Sequence, residues 1–244
     1  MKAHSDTEKK ARLLVVDDHA FVRMGIIAVL ACDAALKVVG EAKDGEEAVA
    51  LCRELEPDLV LMDLSMPRMD GIEATRMIKA HLPKTSVLIL SGYAEEDLLM
   101  EAVRAGAAGY VVKGEDPARL LEAVRAVMGG ETPLDSGLAM RLLRRIGAHT
   151  SAAPAESQRG APSGSTGTVF RGAPPQPLTP RETEVLGHLA RGKPNRQIAQ
   201  ELHVSLSTVK RHVERIIFKL GVSDRTQAAI KALELGILPT DPGR

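Results

Sequence analysis

Three aspartates and one lysine occupy places where an acidic pocket could form. Asp17 and Asp18 follow the apolar run LLVV (13–16), Asp63 closes LVLMD, and Lys113 follows GYVV. Ser91, after SVLIL (86–90), adds a hydroxyl to the same set. Crowded carboxylates repel one another, and a hard cation such as Mg²⁺ relieves that repulsion. A carboxylate held by Mg²⁺ beside an ammonium can accept a phosphoryl group, because both cations neutralise the transferring oxygens. Each feature alone has an ordinary explanation. Asp18 could cap the helix that follows it, and a lysine after a strand is commonly solvated. Their joint occurrence at the ends of four separate runs favours the shared pocket.

The elements that must position these residues can be read from periodicity. Apolar runs at 13–16, 35–40, 58–62, 86–90 and 109–112 alternate with helical-period stretches near 19–31, 45–55, 71–81, 95–105 and 116–129. Near-continuous apolar strands separated by helices predict a parallel sheet covered on both faces. Five such units give an α/β doubly wound, flavodoxin-like domain over 10–131, with ligands expected at the carboxyl ends of the strands. A linker is expected over 132–177, helical at 135–146 and then rich in Gly, Pro, Ala and Thr; such a composition buries too little to offset chain entropy. An all-α domain of four short helices is expected over 178–239. It opens on a capping box, Thr179 with Glu182, and has Pro180 at the first helical position.

The motifs DDH, MDLSMPRMDG, LSGY and GYVVK resemble the receiver domain of two-component response regulators over about 12–130. The resemblance implies that Asp63 accepts a phosphoryl group from a sensor histidine kinase. It implies that Asp17, Asp18, Asp63 and the backbone carbonyl of Ser65 hold Mg²⁺. It also makes Lys113 the phosphate-binding cation, and Ser91 and Tyr110 the switch residues. One departure is Gly114, where many receivers carry a cis proline. Aspartate-nucleophile phosphatases also pair a strand-end aspartate with Mg²⁺, but they place a second aspartate two residues on. Ser65 stands there instead, so a phosphoacceptor is expected and not an enzyme.

In the all-α part, Leu206, Val209, Val213, Ile216 and Leu220 form one predicted buried stripe. Opposite them lie Ser207, Arg211, Glu214 and Phe218, flanked by Lys210 and Arg215. A basic outward face on a helix that follows a short helix and a tight turn fits recognition of double-stranded DNA in the major groove. A solvated basic face is the plain alternative. Residues 178–238 resemble a LuxR-type helix-turn-helix throughout, and with the receiver the chain resembles NarL/FixJ-like transcription regulators. The resemblance implies that Lys210, Arg211 and Glu214 face bases, that Thr208 and nearby groups touch phosphate, and that the last helix (224–235) forms a homodimer. Glu214 could accept from a cytosine amino group or pair with Lys210 or Arg211 instead.

Charge supports two modules. Residues 1–130 carry 16 basic and 22 acidic side chains, whereas 178–238 carry 10 and 6. The basic module suits a polyanionic partner. With two Tyr, three Phe and no Trp, the chain lacks the aromatic platforms of single-strand binders. Cys32 and Cys52 form no metal or redox spacing and read as two buried thiols. No apolar run reaches the ~18 residues of a membrane span, and the first residues lack a signal region, so a cytoplasmic location is expected. The reading is a phosphorylation-controlled transcription regulator. Its rivals are an adaptor whose helical tail binds protein and a DNA binder indifferent to phosphate.

Overall fold

The computed structural model describes residues 10–92, 96–114, 116–131 and 177–235. The chain divides into two compact units between residues 134 and 135, and each is described by itself. The helix expected at 135–146 and nearly all of the 147–177 linker lie outside the described residues.

In the first unit, β1 (Ala11–Val16), β2 (Leu36–Ala42), β3 (Leu59–Asp63), β4 (Ser86–Ser91) and β5 (Gly109–Val112) form one sheet. Its order is β2-β1-β3-β4-β5, and all four pairings are parallel. Between the strands, and after β5, run α1 (Ala20–Leu30), α2 (Gly45–Leu55), α3 (Gly71–His81), α4 (Glu96–Ala105) and α5 (Pro117–Met128). Parallel strands need such crossovers, which cover both faces, and so all five residues of β3 are buried. Leu13, Val15, Leu59, Leu61, Leu88 and Leu90 point to one face and pack with Ile26 and Leu30 of α1 and Val124 and Val127 of α5. Each fully buried aliphatic side chain contributes roughly 1.5–3 kcal/mol relative to exposure.

Helix starts are written locally. Asp44 accepts from Glu47 N at 2.9 Å, Asp70 from Glu73 N at 2.8 Å, and Asp116 from Ala118 N at 2.9 Å. These caps fix where each helix departs from a strand's carboxyl end. The strand order reverses between β1 and β3, where a doubly wound sheet opens its ligand crevice. Of the two cysteines only Cys52 is buried, where desolvation pushes its thiol up to about 12. Cys32 is exposed at the end of α1, contrary to expectation, because it falls after the last buried turn.

The second unit holds α6 (Pro180–Ala190), α7 (Asn195–Glu201), α8 (Leu206–Leu220) and α9 (Arg225–Glu234). The Thr179–Glu182 capping box is formed in both directions. Ser205 caps α8, and Asp224 accepts from Gln227 N at 3.0 Å at the start of α9. Val185, Leu186, Leu189, Ile198, Val209, Val213 and Ile216 close the core with Ala228 and Ala232. Leu206 departs from its expected stripe and is 43% exposed. Helical side chains lean toward the N-terminus, which carries this first-turn residue past the end of the packed surface.

Candidate functional site

The receiver-like pocket is built at the carboxyl ends of the strands. Lys113 Nζ lies 2.6 Å from Asp17 Oδ2 and 2.6 Å from Asp63 Oδ1, bridging residues from three strand ends. Asp17 is fully buried and Asp63 is 5% exposed. The backbone repeats the tie, since Lys113 N donates to Ser91 O at 2.6 Å and Leu64 N to Leu90 O at 3.1 Å. Asp17 Oδ1 accepts from His19 N at 2.8 Å, while Arg23 of α1 donates to Asp17 O at 2.7 Å. Asp18 is half-buried and does not cap α1. The N-cap is His19, with no side-chain bond, and Asp18 Oδ1 instead lies 2.6 Å from His19 Nδ1.

Burial pushes the Asp63 carboxyl above its ordinary range. Lys113 pulls it down and the Asp17 charge adds to the rise. Two buried carboxylates thus share one ammonium, and the half-buried Asp18 beside Asp17 adds a third negative charge to the rim. That excess negative charge is what a hard cation would offset, so the donor set fits Mg²⁺. Among the described residues Asp17, Asp18 and His19 hold ligand atoms within 4.8 Å of one another; Asp63, tied to Lys113, lies outside that group. Asp18 and Ser65 also line a cleft of about 490 Å³ with Met66, Pro67 and Leu98. Sequence reasoning missed His19 and Arg23. The first stands in the DDH motif it had singled out; the second carries no spacing signal.

Ser91 and Tyr110, the expected switch residues, lie at the end of β4 and within β5. Ser91 is 4% and Tyr110 3% exposed, so the tyrosine is already turned inward. Gly114 has φ +86, a conformation closed to proline, whose ring holds φ near −65°. Its replacement of the usual proline is therefore a different local backbone after Lys113. Gly71 lies directly behind Asp63, because a Cβ there would fall 2.1 Å from the carbonyl oxygen of Asp63.

On α8, Ser207, Lys210, Arg211, Glu214 and Arg215 are exposed, and Thr208 is half-buried with its hydroxyl 2.7 Å from Ser205 Oγ. Phe218 is 78% exposed on the same side. Among the described residues Glu214 forms no ion pair with Lys210 or Arg211, so its carboxylate stays open to a partner. The helix is anchored from its far end. Lys219 donates to Glu182 Oε2 at 2.7 Å, and Glu182 is 3% exposed. Burial alone would raise the Glu182 carboxyl, but hydrogen bonds from Lys219 and Thr179 outweigh it and hold it below the usual 4.5. A depressed carboxylate contributes stability above its unfolded pKa and loses it as pH falls through the folded value. Glu182→Gln keeps the capping box but leaves Lys219 unneutralised. It is expected to cost the helical unit about 1.5–3 kcal/mol at pH 7, with the difference from wild type shrinking below about pH 4.5. Calorimetric melting of the full chain at several pH values reads this; a pH-independent difference would remove the ion pair from the account.

Residues 13–125 match the response regulator receiver domain family, and residues 176–232 match the bacterial regulatory proteins of the luxR family. The chain is 40% identical over 223 residues to the transcriptional regulatory protein LiaR of Bacillus subtilis, covering 91% of this chain and 96% of that one. It is 36% identical to the response regulator protein VraR of Staphylococcus aureus, covering 93% and 98%. A crystal structure of a two-component response regulator of the LuxR family from Aurantimonas sp. SI85-9A1 superposes with a TM-score of 0.52 at 37% identity, covering 56% of this chain and 97% of that one. Among the described residues no helix is long and apolar enough to cross a membrane. With an acidic pocket at one end of a five-stranded parallel sheet and a basic helix on a separate bundle, the chain belongs to the two-component response regulators that join a receiver domain to a LuxR-type DNA-binding domain.

Proposed function

We propose that Asp63 accepts a phosphoryl group from a sensor histidine kinase and that the modified chain dimerises and binds promoter DNA. The observation that carries this is the placement of Lys113 Nζ at 2.6 Å from both Asp17 and Asp63. Asp17, Asp18, Asp63 and the Ser65 carbonyl would hold Mg²⁺, which supplies charge neutralisation on the transferring oxygens. An Asp63 oxygen forms the new bond to phosphorus as the bond to the donor imidazole nitrogen breaks. Lys113 then exchanges a carboxylate partner for a phosphoryl oxygen. Ser91, at the same rim, turns its hydroxyl toward that group, and Tyr110, the second switch residue, follows further inward from its buried position. In this reading the receiver spans 10–131, the linker 132–177 and the DNA-binding domain 178–239, and the protein works in the cytoplasm as a regulator and not a turnover enzyme.

For DNA, Ser207, Thr208, Lys210, Arg211, Glu214 and Arg215 form the contact face, and the last helix supplies the dimer contact. Arg211 points furthest from the buried stripe and serves as the base reader. Arg211→Ala is expected to lose roughly 1–3 kcal/mol at the preferred site and to relax discrimination at one base position. Lys210→Ala, as a phosphate contact, should weaken all sequences alike and lower the salt slope by about one unit per monomer. Binding isotherms on a genomic promoter duplex and its scrambled counterpart, with and without acetyl phosphate, read both effects. If neither variant changes affinity for either duplex, the adaptor reading replaces this one.

A further inference from the structure

The loop between β3 and α3 carries Ser65, and the start of α2 grips it from the side at two adjacent points. Asp44 is fully buried. One of its oxygens caps α2, accepting from Glu47 N at 2.9 Å. The other makes no further hydrogen bond and is ion-paired with the Arg68 guanidinium. One residue along, Gly45 N donates to Met69 O at 3.2 Å. A Cβ at Gly45 would stand 2.7 Å from that oxygen, so the two backbones meet closely. The loop's own bonds run from Met69 N to Pro67 O at 2.9 Å and from Gly71 N to Leu64 O at 3.0 Å.

Arg68 adopts φ +69, a left-handed conformation that an arginine rarely takes without a tertiary reason. Half of its side chain is exposed, so ordinary packing does not supply that reason. Water could replace the guanidinium only if Asp44 were solvated, and it is not. A buried carboxylate with one open oxygen is costly unless a cation meets it. Arg68 Nε also lies 3.9 Å from Glu46 Oε2, but that carboxylate is exposed and weakly held, so the buried charge at Asp44 is the one that holds Arg68 in place and, through it, the path of the chain from Asp63 to Asp70.

We infer that the Asp44–Arg68 ion pair is a positioning clamp that holds the β3–α3 loop, and with it the Ser65 carbonyl, in a metal-receptive conformation. Neither residue touches the reacting atoms. This rests on the phosphoacceptor reading for its consequence but not for its structural content. Asp44→Asn keeps the helix cap, since asparagine caps as well as aspartate, and removes only the charge. Arg68→Gly removes the guanidinium and tolerates the left-handed backbone. Arg68→Lys restores a cation.

The test uses the full-length chain and two measurements. Amide hydrogen exchange, read by mass spectrometry without metal, should rise at least threefold over 64–70 in Asp44→Asn and in Arg68→Gly. The double variant should show no more than the larger single effect, and Arg68→Lys should recover part of the protection. Mg²⁺ titration of labelling by acetyl phosphate should show a half-saturating concentration raised at least threefold in the same variants, with the plateau unchanged. Unchanged exchange over 64–70, or additive effects in the double variant, overturns the clamp. Raised exchange with an unaltered Mg²⁺ midpoint overturns its link to the metal. A wild-type chain that takes no label overturns the phosphoacceptor reading instead, and the exchange measurement still decides the clamp.

Discussion

Asp63→Asn is expected to reduce phosphate incorporation from acetyl phosphate to background while leaving the receiver folded. The amide has the shape of the carboxylate but neither the nucleophilic oxygen nor the charge that a divalent cation would meet. Burial holds the Asp63 carboxyl above its usual 3.8. A raised carboxyl pKa means that the ionised form works against folding at pH 7, and that this penalty fades as pH falls through the folded value. The variant should therefore melt no lower than wild type at pH 7 without metal. It should also lose any stabilisation that Mg²⁺ gives the wild type, which follows the ratio of free cation to its dissociation constant. Label incorporated at the wild-type stoichiometry would place the acceptor elsewhere.

The second large effect lies behind the acceptor. Gly71 begins α3, and a Cβ there would fall 2.1 Å from the Asp63 carbonyl oxygen and 3.0 Å from its carbonyl carbon. Those are backbone atoms of a buried central strand, so no side chain can swing aside to make room. Gly71→Ala must move either the helix start or the strand end that carries Asp63. Overpacking of this kind costs about 3 kcal/mol, and for a unit of this size that is a fall in melting temperature of roughly 10 °C. Labelling should fall with it, since the displaced atoms belong to Asp63, the proposed acceptor. A melting temperature equal to wild type would mean that the close approach relaxes freely.

Several parts of this protein were legible in the residues. The strands were visible because a sheet covered on both faces demands continuous apolar runs, and LVLMD is such a run from end to end. The helix starts were visible because Thr179, Asp224 and Pro180 act within three residues of themselves. The acidic pocket was visible because strand ends converge once the sheet is parallel, which places Asp17, Asp63, Ser91 and Lys113 at one edge without any knowledge of distances. Local chemistry and period fix such features, and both are written in order along the chain.

What only the tertiary structure decided involves residues whose partners lie far away in sequence. That Lys113 bridges Asp17 and Asp63, 96 and 50 residues distant, required the fold. So did the choice between a cap and a rim for Asp18, which went to the rim because His19 occupies the cap position. The exposure of Leu206 followed from where its neighbours end, not from its place in the stripe. Arg68 opposite Asp44 and Gly71 against the Asp63 carbonyl had no periodic signal at all. Their roles come from two backbones passing at contact distance, and a linear sequence records which side chains a chain has but not which of its backbones will touch.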